Sequence, residues 1–221
     1  MSLPNSQGDG FPKDPVLPKK RTPQSQIKSA QHLDEDEVNK LLKYLSKQNL
    51  WEYYLMVRLG ISTALRFSDL SRITWEDVVG RERFFVVEKK TGKKREIPLG
   101  MELRMILNTV YKKLGDPPLS DTIIHLQLRT VNKQIKIHAS KAGIRGKRIS
   151  THTWRKTFGR EVWRRNKFSE ASLIKLSILF NHSSTAITRI YLDITREEVA
   201  NLYDIDDLFV YLSQNTPSNH E

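Results

Sequence analysis

Cysteine is missing from the 221 residues, so neither a disulfide framework nor a thiolate metal site can form. Metal-dependent hydrolysis loses its usual ligands too, because none of the six histidines stands in a zinc spacing such as H-E-x-x-H. No apolar run comes near the roughly 20 residues of a membrane span, and the N-terminus lacks the apolar core of a secretory signal. A soluble cytoplasmic or nucleoid-associated protein is expected. Acidic residues are scarce, 25 against 37 Lys and Arg, for a net charge of +12. The shortage is uneven: residues 193–221 hold seven acids and one base, net −6, which leaves +18 on residues 1–192. The body is expected to bind a polyanion, and the tail is not.

Five of the nine prolines fall in residues 1–30, beside a Lys19-Lys20-Arg21 cluster and no hydrophobic period. Residues 1–32 therefore read as a disordered or linker segment. Order is expected to begin at Leu33, where Asp34 can cap a helix, Glu37 can close the capping box, and Leu33 with Val38 forms a hydrophobic staple. Val38, Leu41, Leu42 and Leu45 continue as the stripe of an amphipathic helix, and Trp51 to Leu65 reads as a buried one. Arg83 to Glu88 and Arg95 to Pro98 flank a lysine-rich turn and read as strand, turn, strand. Helical patterns follow over 101–114, 128–142, 152–165, 171–180, 184–191 and 196–212, broken at Asp116-Pro117-Pro118 and at Gly143 to Gly146. The fold class is mainly α with a small antiparallel β-sheet (α+β). One domain is expected over residues 33–212, including the helix 196–212, then a flexible tail over 213–221. There is no internal repeat.

Several settings suit anion chemistry. In Ser150-Thr151-His152-Thr153-Trp154-Arg155 a Ser or Thr can cap a helix whose first turn carries His152 and Arg155 on one face. Helix dipole, free N–H groups, guanidinium and imidazole would then converge on one anion, although a cap and a surface charge are the commoner outcome of such a pattern. Arg66, in Thr63-Ala64-Leu65-Arg66-Phe67-Ser68-Asp69-Leu70, stands among apolar residues where a helix breaks; an ion pair with Asp69 is its plainer use. Lys90 opens the tight turn Glu88-Lys89-Lys90-Thr91-Gly92 and could swing onto a leaving oxygen, as could Lys93 and Lys94. A basic turn touching phosphates nonspecifically is the more common fate of that cluster. The stretch Leu179-Phe180-Asn181-His182-Ser183-Ser184, running on to Ile190-Tyr191, puts a histidine nine residues before a tyrosine across a turn and a short helix. The aromatic residues of these stretches are assigned to the core.

Taken in order, Ala64 to Leu70, the lysine hairpin, His152-Thr153-Trp154-Arg155, and His182-Ser183-Ser184 to Tyr191 closely resemble the catalytic domain of the tyrosine recombinases, the phage integrase type. The resemblance covers residues 33 to about 205. Three departures stand out. Asn181 occupies a position where members often have Gly, and Lys156 one where they commonly have His. Residues 1–32 are too short for the separate helical core-binding domain that usually precedes, so the chain reads as a fragment or an unusually short member.

The resemblance implies a DNA breaking and rejoining enzyme, a site-specific recombinase or integrase needing no cofactor, metal or ATP. Tyr191 would attack the scissile phosphorus to give a 3′-phosphotyrosyl link and a free 5′-hydroxyl. Arg66, Arg155 and His182 would hold the nonbridging oxygens, His152 would act as base for the phenol, and Lys90 would protonate the departing 5′-oxygen. The implied partners are double-stranded DNA and further copies of the chain, forming a tetramer on DNA and a monomer when free. The acidic helix 196–212 would pack on its own domain or dock on a neighbouring protomer. Two other readings compete: a type IB topoisomerase-like relaxing activity, and a DNA-binding regulator that does not cleave. Occupation of all six catalytic positions argues against the latter.

Overall fold

The computed structural model describes residues 29–194. The first 28 residues, the helix expected over 196–212 and the tail lie outside the described residues. Helix α1 (Glu35–Lys47) starts where its capping signal places it. The Asp34 carboxylate accepts from Glu37 N at 2.8 Å, and the Glu37 carboxylate accepts from Asp34 N at 2.9 Å. Leu41, Leu42 and Leu45 are buried along one stripe. Helix α2 (Trp51–Thr63) is apolar around most of its circumference and lies in the core. It stops at Ala64, which takes a left-handed backbone with φ of 55°.

Two one-turn helices follow, α3 (Phe67–Leu70) and α4 (Trp75–Val78). Neither shows in the hydrophobic pattern, because four residues are too few to display a 3.6-residue period. Strand β1 (Arg83–Val87) pairs antiparallel with β2 (Lys94–Pro98), Phe84 opposite Ile97 and Val87 opposite Lys94. Strand alternation turns Phe84, Val86 and Ile97 inward and leaves Phe85 55% exposed, with the Lys94 ammonium 4.9 Å above its ring.

Helices α5 (Met101–Lys113), α6 (Leu128–Lys141), α7 (His152–Arg165), α8 (Glu170–Phe180) and α9 (Thr185–Tyr191) complete the described chain. Helix α7 joins two apolar clusters. Trp154 is buried in the larger one, with residues of α1, α2, the hairpin and α6. Trp163 is buried in the smaller one with Leu173, Leu176, Phe180, Leu192 and Ile194. Burial of side chains this large contributes roughly 2–3 kcal/mol each, which fixes α7 along its length. Glycine permits two close approaches to it: a Cβ on Gly60 of α2 would lie 2.7 Å from Trp154 Cβ, and one on Gly159 would lie 2.7 Å from Leu192 Cδ2. At the seam between the two clusters lie the ends of α2, α8 and α9, the first turn of α7, and the hairpin.

Candidate active site

Arg66 stands at the junction between α2 and α3, as N-cap of the latter. It does not pair with Asp69. Its guanidinium donates to Glu88 Oε2 at 2.8 Å and to the Phe180 carbonyl at 3.3 Å. Asp69 is buried and engaged elsewhere, accepting from Lys89 N at 2.8 Å and from Arg72 at 3.1 Å. The reason is geometric: the turn of α3 sends Asp69 inward under the hairpin, whereas Arg66 leaves the helix before it begins. Glu88 also accepts from Arg95 and Thr91, at 2.8 and 3.0 Å. Burial works to raise this carboxyl, but the bonds from Arg95, Thr91 and Arg66 outweigh it and hold Glu88 below the usual carboxylate range. A carboxylate shared by two guanidiniums thus fixes Arg66 in place.

Arg155 is 3% exposed. One terminal nitrogen donates to the carbonyl of Ala64, and the guanidinium carbon lies 4.4 Å from the centre of the Phe180 ring. Its other terminal nitrogen, buried, has no hydrogen-bond partner among the described residues. Burial pulls Arg155 down to about 10, still protonated at neutral pH. The left-handed turn at Ala64 ends α2 and so brings together, within three residues, the carbonyl that orients Arg155 and the origin of Arg66.

His152 opens α7 one turn before Arg155. The side-chain cap expected from Ser150 or Thr151 takes a different form: Thr151 is the N-cap but makes no side-chain cap bond. The Ser150 hydroxyl accepts from His152 N at 3.2 Å, and Thr151 N donates to Asn132 Oδ1 of α6 at 3.0 Å. Much of the His152 side chain faces solvent, yet partial desolvation and then Arg155, Arg66, Lys156 and Lys90 all lower its pKa. The imidazole is therefore neutral near pH 7, as a proton acceptor must be.

Helix α8 ends at Asn181 with φ of 55°. Its left-handed backbone is the one glycine favours, and asparagine is the side chain that best tolerates it. The departure at Asn181 thus keeps the turn, and adds a contact: Lys93 of the hairpin donates to Asn181 Oδ1 at 2.6 Å. Lys90 has no such partner among the described residues, and its charge is felt by both His152 and His182. His182 Nδ1 lies 2.9 Å from the hydroxyl of Thr188 in α9, and its ring centre lies 5.2 Å from that of Tyr191. Burial, then Arg155, Arg66 and Lys90, lower its pKa too. The Tyr191 hydroxyl is buried without a hydrogen-bond partner among the described residues. Burial pushes it up to about 12, against the opposing pull of Arg155 and Arg66. A buried phenol and a buried guanidinium nitrogen, both unpartnered and electrostatically coupled, mark a site shaped for a further polar group.

The sequence pattern of the phage integrase family matches residues 31–198, more than half of the chain. The chain belongs to the phage integrase family. It is similar to a probable integrase/recombinase, YoeC, of Bacillus subtilis (strain 168), 28% identical over 176 residues that cover 77% of this chain and 92% of YoeC. It is also similar to the tyrosine recombinase XerD of Staphylococcus saprophyticus, 28% identical over 83% of this chain and 64% of XerD. This integrase-family chain thus spans less than two thirds of XerD. Among solved structures, a lambda integrase(75-356) dimer bound to a COC′ core site superposes with a TM-score of 0.59 at 22% identity, over 78% of this chain and 62% of that one. The match places the fold among integrase catalytic structures.

The supporting roles of four residues of this site escaped the sequence reading, which set Asp69 beside Arg66, took Lys156 only as a departure from the family pattern, and gave Glu88 and Thr188 no role. Glu88 carried the clearest signal, a lone acid between an apolar strand and a run of lysines. The other three become recognisable only when α3, α9 and α7 are brought together.

Proposed function

We propose that this chain is the catalytic domain of a site-specific DNA recombinase that cuts and rejoins strands through a 3′-phosphotyrosyl intermediate. What carries the reading is the cluster just described, in which Arg66 and Arg155 act electrostatically on His152, His182 and Tyr191, and Lys90 on both histidines. The Tyr191 oxygen bonds to phosphorus as the bond from phosphorus to the 5′-oxygen breaks, so phosphodiester energy is conserved and rejoining is the reverse step. His152, neutral, takes the phenolic proton. Arg66 and the unpartnered nitrogen of Arg155 donate to the nonbridging oxygens, where charge builds. When the Thr188 hydroxyl donates to His182 Nδ1, Nε2 carries the hydrogen and joins them as a donor. Lys90, free of the contact that occupies Lys93, protonates the leaving 5′-oxygen.

Domain limits of 33–212, a role in the cytoplasm at the nucleoid, and assembly of copies into a tetramer on DNA belong to the same proposal. The relaxing activity of a type IB topoisomerase would use the same step, but family membership favours recombination. The test uses a random-sequence duplex library carrying a nick close to the cleavage point, so that cleaved ends diffuse away. The wild-type chain should form a denaturant-resistant adduct through Tyr191, and Tyr191→Phe should bind the library and form none. An adduct persisting in Tyr191→Phe, or none with the wild type, overturns the assignment.

A further inference from the structure

Lys156 follows Arg155 directly on α7, and no step of the proposed chemistry uses it. Its side chain is only 3% exposed, and an ammonium taken out of water persists only where fixed partners compensate its lost hydration. Those partners come from opposite ends of the described residues. The Lys156 ammonium donates to Asp193 Oδ2 at 2.9 Å and to Ser29 Oγ at 3.3 Å, and it stands 5.2 Å from the centre of the Tyr191 ring. Asp193 comes two residues after Tyr191, where α9 ends and the backbone turns left-handed with φ of 59°. Between them Leu192 is fully buried against Gly159. The segment carrying the phenol is therefore held twice, by packing at Leu192 and by charge at Asp193, and both holds run to α7.

Ser29 begins a stretch laid against the start of the same helix. Its carbonyl accepts from Arg148 Nε at 2.9 Å, Gln31 N donates to the Arg148 carbonyl at 2.8 Å, and Leu33 N donates to Thr157 Oγ1 at 3.0 Å. One buried lysine thus joins the stretch entering α1 to the turn leaving the tyrosine.

Resting on the recombinase reading, we propose that Lys156 is a positioning residue: through Asp193 and the face of the Tyr191 ring it sets the place and angle of the phenol beside Arg155. The logic is positional. Arg155 and Lys156 are consecutive, so the guanidinium that holds the phosphate and the ammonium that seats the tyrosine are referenced to one turn of one rigid helix. A shift of about 1 Å between attacking atom and phosphorus lowers a rate by roughly 100-fold, whereas an ordinary buried ion pair would affect stability alone.

The experiment places 3-fluorotyrosine at position 191 of the full chain and records its fluorine resonance and its titration. It also measures adduct formation on the nicked random-sequence library against library concentration. Lys156→Met should move the resonance and the titration toward those of free fluorotyrosine. The maximal trapping rate should fall about 100-fold while the half-saturating concentration stays within about twofold. Lys156→Arg, which keeps charge and reach, should restore most of the rate. Asp193→Asn keeps the left-handed turn and removes only the charge, so it decides the matter if Lys156→Met does not fold: a resonance displaced from wild type supports the role. An unchanged resonance and titration in either variant overturns it, as does a loss in Lys156→Met confined to thermal stability. Should the wild type trap no DNA, the recombinase reading falls while the fluorine signal still decides whether Lys156 seats the ring.

Discussion

At the scale of single residues, the site shifts the pKa values of a guanidinium, two imidazoles and a phenol without changing the charge each carries near pH 7. Arg155 illustrates this: burial lowers its pKa to about 10, yet its fork remains charged and half unpartnered. Arg155→Lys keeps the charge but cannot hold the Ala64 carbonyl and a phosphate oxygen at once. Cleavage of the nicked library is expected to fall by roughly 100-fold or more with affinity little changed, as for other lost oxyanion donors; single-turnover trapping rates measure it. Tyr191 gives a second prediction. With its folded pKa at about 12, against about 10 in an unfolded chain, the native state keeps a proton that the unfolded state releases as pH rises from 10 toward 12. Stability contributed by this group is present below pH 10 and lost across that window, by about 2 kcal/mol. Urea denaturation at pH 8, 10 and 11 should show a steeper alkaline loss for the wild type than for Tyr191→Phe.

At the scale of elements, α7 is the reference to which the other parts are fixed. Its first turn carries His152 and Arg155, its next residue seats the tyrosine turn, and Gly159 lets Leu192 lie flat against it. Gly159→Ala places a methyl group 2.7 Å from Leu192 Cδ2 and 3.0 Å from Phe180 Cζ. Leu192 can swing, but the buried Phe180 ring lies beneath Arg155 and cannot. A loss of about 1–3 kcal/mol is expected from overpacking. Trapping should fall more than DNA binding, because the displaced groups flank Tyr191 and Arg155. Thermal melting and trapping of the same preparation check both parts. The hairpin is the other functional element. Lys93 ties it to Asn181 at the end of α8, which leaves Lys90 of the same turn to approach a leaving group.

At the scale of the whole molecule, charge governs the encounter and shape the chemistry. With +18 on residues 1–192, affinity for duplex DNA should fall steeply with salt, by on the order of 1,000-fold between about 50 and 200 mM if about six phosphates are contacted. Fluorescence anisotropy against salt concentration measures the slope. The positive charges of the site are guanidinium and ammonium groups, so EDTA should leave trapping unchanged. A strict magnesium requirement would contradict the proposed site.

Local signals determined much of this protein. The capping box at Asp34 and Glu37, the stripe of α1, the alternation of β1 and the helix breaks at prolines and glycines depend on neighbours a few residues apart, and the chain follows them closely. The local settings of Arg66, Lys90, His152, Arg155, His182 and Tyr191 were legible for the same reason, but it was their resemblance to the tyrosine recombinases that implied a joint role. Pairings between distant segments were not. Whether Arg66 would meet Asp69, three residues away, or Glu88, on a strand, depended on which way α3 turned Asp69. That Phe85 would lie outside depended on which face of β1 met the core. Asn181 read as a departure until its left-handed backbone was seen, and Lys156 as another until Asp193 and the Tyr191 ring were found around it. A side chain's period is written in the sequence, but the partner of a buried charge is chosen by packing between elements far apart in the chain, and only the tertiary structure brings them together.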